Sequence, residues 1–146
     1  MKFADFSAGQ HLVAGPASLS ADDIVAFARA WDPQWFHTDP ARACEGRWQG
    51  LIASGWQTAC VAMRLAVDHL LADSESFGTP GLDYLKWLQP VRPGDALTLH
   101  AHVLEARSST KQPTLGVLRW RWELHNQQGT RVLELVATSL FALTPP

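Results

Sequence analysis

The chain has 146 residues, 47% of them hydrophobic, which fits one domain spanning 1–146 and suffices to bury most of the surface exposed by its unfolded form. A net charge of −2, from 12 Lys and Arg against 14 Asp and Glu, supplies no field for nucleic acid and no like-charge run for a membrane surface. Two cysteines without a CxxC spacing, no basic leader and no long uncharged apolar stretch predict a cytoplasmic protein without a disulfide framework, signal peptide or membrane span.

In chain order, a short strand is expected near Gln10 to Ala14. Ser20 then reads as an N-cap followed by the acidic residues Asp22 and Asp23, and Ile24, Phe27, Ala28 and Trp31 recur at helical spacing, which predicts a helix over 21–31. Pro33 disfavours helical backbone at Asp32, so the helix ends there and a loop follows. Asp39-Pro40 is a second cap with proline at the first helical position, opening a short helix through Ala41 to Ala43 that Gly46 and Gly50 interrupt. From Ser54 to about Ala72 the chain is apolar on most sides, with a narrow polar stripe through Gln57, Arg64 and Asp68. Such a helix belongs inside a domain, and Cys60 within it reads as a small buried hydrophobe.

The C-terminal half changes to a period of two. Segments 82–88, 97–105, 115–124 and 132–143 alternate and are separated by Gly, Pro, Ser or Asn-Gln-Gln-Gly, predicting four antiparallel strands. In Val117 to Leu124 the even positions are apolar, so Trp120 and Trp122 face the core and Arg119 and Arg121 face water or a partner. A long buried helix followed by a four-strand meander, with one early strand, describes an α+β hot-dog fold, an antiparallel sheet wrapped around a central helix.

Chemistry concentrates in Asp32-Pro33-Gln34-Trp35-Phe36-His37-Thr38-Asp39-Pro40. A carboxylate and an imidazole five residues apart in a loop can face one pocket, where they could add or remove water. The aromatic neighbours Trp31, Trp35 and Phe36 would exclude water, raising the carboxyl's pKa and lowering the imidazole's. Interval alone decides nothing: Asp95 and His100 share it, but they belong to a Pro-Gly-Asp turn and to the polar side of a strand.

These residues resemble the MaoC-like dehydratases, the family that includes (R)-specific enoyl-CoA hydratases, whose motif runs Asp-x-Asn-Pro-aliphatic-His-x-Asp. Here Asp32 to Asp39 occupy it, with Gln34 at the Asn position and Trp35 at the Pro position. Gly50 to Gly55, Leu85 to Val91 and Arg92-Pro93-Gly94-Asp95 are similar to further family segments, in the family's order. The resemblance implies reversible hydration of a trans-2-enoyl-CoA to a 3-hydroxyacyl-CoA, with no cofactor. Asp32 would draw a proton from water while His37 holds that water and supplies a proton to the α-carbon, or the two would exchange these parts, since coupled groups share their titration, and the Gly55 amide would face the enolate oxygen. Glycine at 55 would let the thioester approach closely. Gln34, Trp35, Phe36, Ser54 and Trp56 would contact substrate, and a homodimer would complete the tunnel.

Two other functions fit the same scaffold. A thioesterase would need a carboxylate near a partner's central helix, where Asp68 is the acidic residue available. A non-catalytic acyl-thioester binding module is suggested by the altered Gln34-Trp35 pair. Metal binding is not expected: His100 and His102 share a strand face, but His11, His69 and His125 have no ligand-like spacing.

Overall fold

A computed structural model describes residues 1–143, so the last three positions of the expected 1–146 domain lie outside the described residues. Five antiparallel strands, β1 (His11–Ala17), β2 (Ser76–Trp87), β3 (Leu97–Ser108), β4 (Leu115–His125) and β5 (Arg131–Ala142), form one sheet in the order β1-β3-β4-β5-β2. Between β1 and β2 run helices α1 (Ala21–Trp31), α2 (Trp35–Thr38), α3 (Pro40–Glu45) and α4 (Gly55–Ala66). The sheet curls over one face of α4, the α+β hot-dog arrangement. Among the described residues no helix is long and apolar enough to cross a membrane.

Strand alternation builds the core. Leu97, Leu99, Ala101 and Val103 of β3 and Leu118, Trp120, Trp122 and Leu124 of β4 turn inward, where they meet Val61, Ala62, Leu65 and Ala66 of α4. Helix α1 begins as its sequence requires: Ser20 Oγ accepts from the Asp23 amide at 3.0 Å, and the Asp23 carboxylate accepts from the Ser20 amide at 2.9 Å. This reciprocal pair satisfies two otherwise orphaned amides.

Four expectations are revised. The loop after α1 contains a helical turn, α2, because only Asp32 is restrained by Pro33 and the chain is free to turn from Trp35 onward. Strand β2 starts at Ser76, ahead of the expected Leu82; it is an edge strand, where Gly78, Pro80 and Gly81 cost little ladder bonding. Helix α4 is covered on one face only: Gln57, Thr58, Val61, Ala62, Leu65 and Ala66 are buried, while Trp56, Met63 and Cys60 are exposed. Cys60 is therefore a surface residue. Beyond Ala66 the helix widens into a π-helical turn, Val67–Leu71, rather than continuing as α-helix to Ala72.

Candidate active site

The segment Leu51–Ser54 is buried and extended, stitched between two loops. Its Ala53 amide donates to the Val91 carbonyl at 2.9 Å. On its other side stands the α2 turn. His37, 5% exposed, contacts the Ile52 carbonyl through Nδ1 at 2.7 Å. A carbonyl can only accept, so Nδ1 carries the proton and Nε2 of the neutral ring presents a lone pair. That lone pair faces Asp32, whose Oδ2 lies 3.3 Å from Nε2.

Asp32 is held from two further directions. Gln34 Nε2 donates to Oδ1 at 2.8 Å and Ser54 Oγ donates to Oδ2 at 2.7 Å. Desolvation pushes the Asp32 carboxyl up, but these two hydrogen bonds, with the positive charge that His37 carries whenever its ring is protonated, outweigh it and leave it below the usual carboxylate range. The upward shift expected from aromatic neighbours does not occur. Trp35 turns away to stack on the Cα of Gly46 and beneath the Arg42 guanidinium, 4.5 Å from its ring centroid, and Trp31 is 78% exposed. Asp32 Oδ2 and His37 Nε2 thus stand side by side, and whenever the ring is neutral both are acceptors to which one water could donate.

Ser54 also explains the start of α4. As N-cap it would ordinarily accept from a first-turn amide, yet it makes no side-chain cap, and its hydroxyl is turned toward Asp32, to which it donates. The first-turn amides, which have no intrahelical acceptor, are left with the positive end of the helix dipole beside the dyad. Gly55 is the first of them.

Asp32, His37, Gly55 and Trp56 line one cavity of about 410 Å³, together with Trp48, Ile52, Ala53, Thr58, Trp87, Leu88, Gln89, Pro90 and Val91. The other expected substrate contacts lie outside that lining. Gln34 and Ser54 reach Asp32 instead, Trp35 packs on α3, and Phe36 sets its ring edge-to-face against His37 at 4.3 Å. Reasoning from sequence missed Trp87, Thr58 and Gln89. Trp87 ends β2, and its position at the junction of an alternating strand with Leu88-Gln89-Pro90 was the available signal.

The fold supplies a reason of its own for glycine at 55. Its backbone is ordinary, but a Cβ would stand 2.6 Å from Cε2 and Nε1 of Trp87, whose indole N–H donates to the Gly55 carbonyl at 2.7 Å. The thioesterase candidate Asp68 sits in the π-helical turn beyond α4, ion-paired with Arg64 at 2.7 Å and outside the cavity lining. The supposedly isolated His11 and His125 gather with His100 and His102 around Glu123 on the outer face of the sheet. Among the described residues no group of three or more His, Cys, Asp or Glu is arranged to hold a metal ion.

Comparison with known proteins gives the same frame. Residues 5–119 match the family described as MaoC like domain. The uncharacterized protein YdeM of Bacillus subtilis (strain 168) is 31% identical over 134 residues, covering 92% of this chain and 94% of YdeM. The MaoC-like dehydratase from Rhodospirillum rubrum superposes with a TM-score of 0.87 at 33% identity, covering 98% of this chain and 97% of that one. The (R)-hydratase from A. caviae involved in PHA biosynthesis shares the fold, with a TM-score of 0.72 at 23% identity over 95% and 98% of the two chains.

Proposed function

Since this chain belongs to the MaoC-like domain family, we propose that it is a hydratase or dehydratase that adds water reversibly across the double bond of a trans-2-enoyl thioester, most simply a coenzyme A thioester. The single observation that carries the reading is the pair of acceptors, Asp32 Oδ2 and His37 Nε2, 3.3 Å apart on the wall of a largely apolar cavity. Two acceptors orient one water, and apolar walls suit an acyl chain.

The division of labour follows from the protonation state. An imidazole is ordinarily a stronger base than a carboxylate, and the Asp32 carboxyl lies below its usual range. In hydration, His37 Nε2 takes a proton from the bridging water as its oxygen bonds to C3 of the enoyl group. Asp32 stays ionised and stabilises the imidazolium. Electrons displaced from the double bond collect on the thioester oxygen, where the Gly55 amide donates; a backbone donor of this kind can be worth about 3 to 4 kcal/mol in the barrier. The imidazolium then returns the proton to C2, which completes the 3-hydroxyacyl thioester. Dehydration is the reverse.

Gln34 has the orienting donor that an asparagine at its position would supply, so the altered motif retains a held carboxylate. That favours catalysis over passive binding. Asp32→Asn and His37→Gln should each lower turnover of a trans-2-enoyl-CoA by about 10²- to 10⁴-fold in a chain that remains folded by circular dichroism. Activity retained in both variants ends the claim. Release of free thiol without loss of enoyl absorbance would identify a thioesterase instead.

A further inference from the structure

Trp87 touches the start of α4 in two ways, and both converge on one peptide group. The indole N–H donates to the Gly55 carbonyl at 2.7 Å, and the pyrrole side of the ring fills the space that a side chain at position 55 would occupy. Trp87 is itself fixed: it closes β2, pairs with Leu133 of β5, and meets Trp56 edge-to-face with ring centroids 5.1 Å apart. An anchored donor is thereby aimed at the first peptide of the helix whose amides border the dyad.

We propose that Trp87 is a positioning residue for the oxyanion-binding amides at the start of α4, an inference that rests on the hydratase reading. The Gly55 carbonyl belongs to the peptide whose N–H is that of Trp56. Donation to that oxygen polarises the whole peptide unit and strengthens its N–H as a donor. The same bond fixes the plane of that peptide, and the Gly55 N–H lies in the peptide just before it, joined through the helical dihedrals of Gly55. Ser54 does not supply this restraint: its hydroxyl is turned toward Asp32. The helix start is thus fixed from outside, by the sheet, through an indole nitrogen. Phenylalanine at position 87 would keep an aromatic cover over Gly55 but lacks the donor.

Trp87→Phe separates the bond from the cover. The expected result is a fall in kcat of about tenfold with KM for a trans-2-enoyl-CoA within about twofold, since the lost interaction acts on charge that develops in the transition state. The backbone amide proton resonances of Gly55 and Trp56 should move upfield in the same variant, while those in β3 and β4 stay in place. An unchanged kcat overturns the proposal. So does a lowered kcat with Gly55 and Trp56 amide resonances unmoved, which would make Trp87 a wall only. A wild type that turns over no enoyl thioester sinks the hydratase reading; the amide resonances of Trp87→Phe then still decide whether the indole sets those two donors.

Discussion

Asp32 receives hydrogen bonds from Gln34 and Ser54 within its own chain, and this determines how acidity should act on the reaction. A carboxyl held below its usual range remains ionised to lower pH, so Asp32 should add an acid limb of its own to kcat/KM below the ordinary carboxylate value of about 3.9, separate from the loss that protonation of the His37 base imposes. Gln34→Ala or Ser54→Ala each removes a donor that favours the charged form. Both should move that limb to higher pH, measured as the rate profile between about pH 3 and 7. A limb that stays in place in both variants would show that Asp32 does not set it. The same depression contributes stability that is present above the unfolded carboxyl pKa and lost as pH falls through the lower folded one. The sequence displayed the Asp32 and His37 pair, because a helix stop and a cap at Asp39 frame the loop. It did not display the direction of the shift: whether aromatic neighbours desolvate a carboxyl or turn away, as Trp35 does, depends on contacts with residues such as Gly46 that local sequence does not specify.

At the level of the sheet, strand periodicity was readable and register was not. Alternation in β4 put Trp120 and Trp122 inside, as found, and set the odd positions outward. Register then pairs His100 with Glu123 and His11 with His102, and the resulting neighbours surround one buried carboxylate. His102 Nε2 lies 3.4 Å and His125 Nε2 3.2 Å from Glu123, while His11 Nε2 meets His100 Nδ1 at 2.9 Å. Burial lowers the pKa of His100, with His125 and His11 acting the same way against Glu123, and burial also lowers that of His102. Rings with depressed folded values bind fewer protons folded than unfolded. Their neutral packing therefore contributes stability that is present above the ordinary imidazole pKa, about 6.5, and lost as pH falls below it. The thermal midpoint should drop between pH 7.5 and 5.5, and His100→Phe combined with His102→Phe should flatten that slope. Identical slopes in wild type and double variant would count against the network as its source.

Of the two edges of the sheet, the one at β2 is the more apolar flank. Strand β2 pairs with β5 on one side only, and its free edge carries Phe77 and Leu82, 61% and 46% exposed. Beside it the uncovered face of α4 and the turn that follows present Trp56, Met63 and Val67, and a second, apolar cavity of about 430 Å³ opens there between Met63, Leu82 and Leu85. A long open edge with apolar side chains invites indiscriminate strand pairing unless something covers it. A second copy related by a two-fold axis would cover it with the same surface, each β2 lying antiparallel to the other and each Trp56 set against the partner. Sequence reading already expected a homodimer from the resemblance, but it put the start of β2 at Leu82 and so missed Phe77 and the part of the edge that precedes it. Light scattering at micromolar concentration should return twice the chain mass. Phe77→Glu combined with Leu82→Arg sets charges on the edge without touching the core, and should return a folded single chain. Because Trp56 lines both the cavity of Asp32 and His37 and the second one, that variant should also lose turnover of longer acyl chains before short ones. A wild-type chain that scatters as a monomer would refute this assembly and leave the open edge to be explained by another partner.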